Sequence, residues 1–193
     1  HLEDVCFLLR QKIVEILSEK PGHFGASMGA VELIAAIHYV FNTPSDKFIL
    51  DVGHQAYAHK LLTGRWSDFD SLRSHDGISG FPKRSESEYD DFGTGHSSTS
   101  ISAITGMAVA DRLKGHNNHH IALIGDGALT GGLALEGLNN LHDLDANVIV
   151  IVNDNQMSID ENVGGLPDHL NKIDSTSNIF TNLGLKYNGP IDG

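Results

Sequence analysis

Two triplets, Gly125-Asp126-Gly127 and Asn153-Asp154-Asn155, each close a short apolar run: Ile121 to Ile124 before the first, Val148 to Val152 before the second. Between them, Leu133 to Leu141 carries helical spacing. Strand, helix and strand in that order make a βαβ unit, whose two strands must run parallel. The separation of Asp126 and Asn155 fits one such crossover. Both triplets therefore belong at the carboxyl ends of neighbouring strands, where open α/β sheets bind their ligands. The pattern predicts an α/β fold, a doubly wound parallel sheet with helices on both faces.

An acid between two glycines is ill suited to bare phosphate, because Asp126 would repel it. A divalent cation removes the objection. Asp126 and Asn155 each offer a hard oxygen to Mg²⁺, Met157 can add its backbone carbonyl, and the ion can carry a diphosphate. The bland alternative is a glycine turn followed by an ordinary polar loop. A dinucleotide fingerprint is excluded, since Gly125 to Thr130 lacks the third glycine and places an acid where backbone must approach pyrophosphate.

The net charge of −12 argues against nucleic acid or an anionic membrane as partner, and Lys83-Arg84 is the one adjacent basic pair. With 193 residues, 40% of them hydrophobic, the chain suits one soluble domain spanning 1–193. The single cysteine, Cys6, rules out an internal disulfide and points to a reducing compartment. No apolar run reaches transmembrane length and no signal peptide is visible. A start at His1 within a helical pattern suggests a piece of a longer product. His116, His119 and His120 read as a solvated polar loop rather than a metal site.

Along the chain, Val5 to Leu17 is amphipathic and stops near Pro21-Gly22. A glycine-rich bend runs from Gly22 to Gly29, a buried helix from Val31 to Val40, and a short strand covers Phe48 to Leu50. Asp51 to His54 leads off that strand into a helix through Tyr57, Lys60 and Leu61. His59 and Lys60 are expected to be solvated or packed rather than functional. Residues 63–95 are polar and glycine-rich, the kind of long loop that is functional or mobile. Helical character resumes at Ser97, and Leu183 to Tyr187 suggests a last short strand.

On these residues the chain resembles the 1-deoxy-D-xylulose-5-phosphate synthases, a thiamin diphosphate-dependent family of the transketolase-like superfamily. The likeness is carried by Asp51 to Tyr57, His59 to Arg65, Gly95 to Ser102, Asn153 to Ile159, Glu161 to Gly164 and Gly189 to Gly193. The bend GHFGASMG only partly shares the transketolase pattern GHPGAPMG. The resemblance implies thiamin diphosphate and Mg²⁺ as cofactors, with Asp126, Asn155 and the Met157 carbonyl as metal ligands. It also implies that Gly127 and Ala128 give backbone N–H groups to the diphosphate, while Gly95, His96 and Ser97 cradle the cofactor from the other side. Asn155 and His54 would touch the cofactor as well. The turn His96-Ser97 precedes a helix whose first N–H groups are expected to be free for an anion. His23 and His54 would be catalytic, handling protons near the thiazolium, with Ser27 a weaker candidate for substrate contact.

The implied reaction joins pyruvate and D-glyceraldehyde 3-phosphate to give 1-deoxy-D-xylulose 5-phosphate and CO₂. The implied assembly is a homodimer, in a bacterial cytoplasm or a plastid stroma. The family's pyrimidine-binding and C-terminal domains are absent from this chain, so these residues alone are expected to bind the cofactor weakly and turn over nothing. The segment between Gly164 and Phe180 is shorter than the family's. Two alternatives stay open: another transketolase-like enzyme, or a non-catalytic Mg²⁺-diphosphate binding module.

Overall fold

A computed structural model describes residues 1–154 and 163–191. Helix α1 (Leu2–Glu19) buries Cys6, Leu9, Ile13 and Ile16, a three-four-three spacing that puts them on one face. Full burial of such side chains contributes about 1.5–3 kcal/mol each. The helix ends at Lys20, which is extended because it precedes Pro21. A short α2 (Phe24–Met28) forms in the glycine-rich bend, and α3 (Val31–Val40) returns along α1 with Val31, Ile34, Ala35 and Ile37 inward.

Strand β1 (Lys47–Leu50) leads to α4 (Tyr57–Leu62), and the polar stretch that follows contains a 3₁₀ turn, Phe69–Ser71. Helix α5 (Ser100–Leu113) then crosses to β2 (His120–Gly125). From β2 the chain passes through the single turn α6 (Asp126–Leu129) and α7 (Gly132–Leu141) to β3 (Val148–Asn153). Two short helices close the described chain, α8 (Gly165–Leu170) and α9 (Ile179–Asn182).

Among the described residues the sheet has three strands in the order β1-β2-β3, all parallel. Helices cover both of its faces, and the two-residue period of the strands decides which residue meets which layer. Phe48, Leu50, Ile121, Leu123, Ile149 and Ile151 face α1, α3 and α4. Ile49, Ala122 and Val148 face Ile104 and Met107 of α5. Ile124, Val150 and Val152 face Ile101, Leu138, Leu170 and Phe180. The expected α/β architecture is therefore present.

Three expectations need correction. Leu183 to Tyr187 forms no strand: Gly184 turns at φ +76, and Leu185 and Tyr187 instead pack into the second core cluster, with Tyr187 stacked on Phe180 at 5.6 Å. His120 is not in a solvated loop but is the buried first residue of β2, its ring bonded to Asn147 O and to Asp111. The helix expected at Ser97 begins at Ser100, because residues 97–99 turn first, with Ser98 at φ +70.

Candidate functional site

The register fixes the site's frame. Gly125 pairs with Asn153, so the chain leaves β2 at Asp126 and leaves β3 at Asp154 from adjacent strand tips. Asp126 is buried at the start of α6, with Gly127 and Ala128 in the same turn. Asn155 and Met157, the other expected metal ligands, lie outside the described residues.

The tip of β1 supplies His54. Asp51 N donates to Leu123 O, extending the ladder by one residue, and the chain then turns through Val52 and Gly53. Gly53 is required there twice over. Its φ is +87, and a Cβ would sit 2.1 Å from Thr94 Oγ1 and 2.6 Å from Pro82 Cδ. His54 meets His23 with ring centroids 6.1 Å apart, edge to face. The Nδ1 atoms of both rings are buried and have no hydrogen-bond partner among the described residues. Burial, and then Arg73 and His54, lower the His23 pKa; burial lowers that of His54 against the opposing charge of Asp51. Two neutral imidazoles thus border the crevice, each able to exchange a proton.

Ser27 is fully buried and donates to the His54 carbonyl at 3.1 Å, so it fastens the bend to the β1 tip and is not open to substrate. The His23 N–H donates to the Tyr57 hydroxyl oxygen at 3.2 Å, a second fastening between the same loops.

The turn Gly95-His96-Ser97 sits exposed before α5, and His96 Nδ1 lies 2.7 Å from Ser97 O. The N–H groups just beyond it are not all free, which corrects the expectation. Asp51 accepts from Ser98 N at 2.7 Å and from Ser100 N at 2.9 Å, capping α5 from the end of β1. Neither Ser98 nor Thr99 provides a side-chain cap. Instead Ser98 Oγ donates to Ala128 O at 2.7 Å and stitches the 95–97 turn to the turn after β2. Asp51 and Ser98 are positioning residues that the sequence reading missed. Neither had a local signal, because Ser97, Ser98 and Thr99 offer the sequence capping side chains of their own ahead of α5.

Beneath the crevice lies a buried polar network. Asp90 accepts from His59 Nε2 at 2.9 Å and from both Arg65 amino groups, at 2.7 and 2.9 Å. Lys60, with no exposed surface, donates to Glu86 at 2.6 Å. His59 and Lys60 are therefore packed, as one of the two expected outcomes, and paired too. Burial would raise the Asp90 pKa, but the bonds from His59, Arg65 and Lys83 N–H outweigh it and hold the carboxyl well below the usual range. Because Asp90 accepts, His59 Nε2 carries the proton and His59 Nδ1 must accept from His38 Nε2, 2.9 Å away. His38 Nδ1 then accepts from Thr43 Oγ1 at 3.0 Å. One carboxylate thus sets both tautomers.

Three comparisons with known proteins bear on this arrangement. A family model described as 1-deoxy-D-xylulose-5-phosphate synthase matches residues 1–180. A protein of that name from Ectopseudomonas mendocina is 57% identical over 229 positions, covering 100% of this chain and 36% of the relative. Another, from Parabacteroides distasonis, is 57% identical over 183 positions, covering 94% of this chain and 29% of the relative. This chain thus spans about a third of the length of the curated relatives it matches. The first alignment is longer than the 193 residues here, whereas the second needs no such extra length, so a shortened segment relative to the whole family is not borne out. Among solved structures, a transketolase mutant from Pichia stipitis superposes with a TM-score of 0.75 at 20% identity, covering 82% of this chain and 27% of that one. At that identity the likeness concerns the fold.

Proposed function

The chain belongs to the 1-deoxy-D-xylulose-5-phosphate synthase family, and we propose that it forms the part of such an enzyme that holds the diphosphate and metal of thiamin diphosphate. The observation that carries this reading is the pairing of Gly125 with Asn153, which sets the ends of the two strands that lead into the triplets side by side at the sheet's carboxyl edge. The residues present fit the cofactor: Asp126 is buried at one tip, and two unpartnered imidazole nitrogens sit in the loops at another.

In this proposal Asp126, Asn155 and the Met157 carbonyl hold Mg²⁺, and Gly127 and Ala128 offer backbone N–H groups to the diphosphate. Gly95, His96 and Ser97 line the other side, in a turn held in place by Asp51 and Ser98. His23 and His54, neutral at pH 7, take up and return protons at their free nitrogens beside the reacting carbonyl. When bound, thiamin diphosphate supplies the carbon nucleophile and the electron sink. The overall reaction consumes pyruvate and D-glyceraldehyde 3-phosphate and yields 1-deoxy-D-xylulose 5-phosphate and CO₂, a transferase step that feeds isoprenoid and thiamin synthesis. The working assembly is a homodimer of the full-length protein.

No helix among the described residues is long and apolar enough to cross a membrane. A single buried thiol and bacterial relatives support a reducing compartment, bacterial cytoplasm or plastid stroma. Calorimetric titration of thiamin diphosphate into the chain, with and without Mg²⁺, tests the site. Binding should require the metal and weaken by at least about tenfold in Asp126→Ala; equal affinity in the two proteins would end the proposal.

A further inference from the structure

Two carboxylates of the network do more than neutralise α4. Glu86 Oε2 takes the Lys60 ammonium at 2.6 Å, while its Oε1 accepts from Ser79 N at 2.7 Å. Asp90 takes His59 and Arg65, while its Oδ2 also accepts from Lys83 N at 2.7 Å. Residues 79 and 83 bracket Phe81 and Pro82. Phe81 lies edge-on to the His23 ring at 5.1 Å, and Pro82 packs on Gly53, the residue before His54. A line of contacts therefore runs from α4 through two acids and two backbone N–H groups to the surroundings of both crevice imidazoles.

We propose that Glu86 and Asp90 are positioning residues that hang residues 79–83 on α4 and so seat Phe81 against His23. The significance of that placement rests on the reading of His23 as a proton-handling group. The design has a physical rationale. A polar, glycine-rich loop has little apolar surface with which to fix itself, and charge-assisted bonds to buried partners supply the missing rigidity. His59, Lys60 and Arg65 all lie on or just after α4, so the loop is fixed to the element that continues from His54.

The imidazole of His23 reports on the seating directly by NMR. In the wild-type chain its ring protons feel the Phe81 ring current and its titration lies below the ordinary imidazole value. Arg73, His54 and the Tyr57 hydroxyl also face or adjoin it, and all three side chains are kept in both variants. Glu86→Ala should move the ring-proton shifts and the titration midpoint upward toward those of Phe81→Ala. If Phe81→Ala moves both signals while folded Glu86→Ala leaves both at wild-type values, the proposal is overturned. Should Glu86→Ala fail to fold, hydrogen exchange on the wild type decides. The Ser79 and Lys83 amides should exchange at least about tenfold more slowly than that of Arg84; equal rates overturn the proposal. Neither readout involves thiamin diphosphate, so failure of the cofactor titration and failure of this inference are separate results.

Discussion

Replacing His38 by glutamine should remove a definable share of the protein's sensitivity to acid. The His38 ring is stacked on His59 at 5.1 Å, edge-on to Phe48 at 5.8 Å, and bonded at both nitrogens. Burial, then the nearby His59 and Arg65, pull its pKa from 6.5 down to about 3. Between those values the unfolded chain binds more protons than the folded one, so stability falls as pH falls through that window. The contribution is whole above 6.5, and its loss is complete once the pH passes below about 3. Each pH unit well inside the window costs about 1.4 kcal/mol and less at its upper edge, so going from about pH 6.5 to about pH 4.5 costs about 2 kcal/mol through His38 alone. Glutamine keeps an N–H toward His59 Nδ1 and never takes a charge. Urea denaturation at the two pH values should therefore show a stability difference about 2 kcal/mol smaller in His38→Gln than in wild type. His59 has the same sign but is present in both proteins. Asp90 loses its stabilising effect only as pH falls below its unfolded value of 3.8, outside the range. An unchanged pH difference in the variant would refute a buried, neutral His38.

Two further outcomes can be checked by thermal or chemical denaturation. Asp51→Ala strips the α5 cap and should cost about 1–2 kcal/mol, with Asp51→Asn recovering part of it; thiamin diphosphate affinity should fall alongside, because the 95–97 turn loses its anchor. Gly131→Ala would bring a Cβ to 2.2 Å from Ser98 Oγ and 2.9 Å from Ser98 Cβ. It should cost about 1–3 kcal/mol, less than additively with Ser98→Ala.

The βαβ unit was legible because three local signals agreed there: short continuous apolar runs for the strands, a helical period between them, and polar triplets after both runs. The pairing of Gly125 with Asn153 follows from that pattern, and so does the covering of both faces. What escaped was everything decided by partners distant in sequence. Asp51 gives no local sign that it will cap α5, and Glu86 and Asp90 look like ordinary acids in a polar stretch until Lys60, His59 and Arg65 arrive beside them. Leu183 to Tyr187 misled for the opposite reason. Alternation in so short a run is satisfied equally well by packing Leu185 and Tyr187 onto Phe180 and its neighbours as by joining a ladder. His120 was misjudged because a histidine run hides where a loop ends and a strand begins.

The two rims of the sheet are finished differently. On the outer side of β1, the Asp91 carboxylate accepts from Phe48 N at 2.9 Å and pairs with Lys47 at 2.9 Å, so a newcomer strand would have to evict a charged group already engaged twice. The rim of β3 carries Val148 to Val152, half-buried, with no strand beside it among the described residues. Any sideways growth of this sheet, whether by more of the same polypeptide or by an unwanted neighbour, is thereby steered to one flank and away from the other.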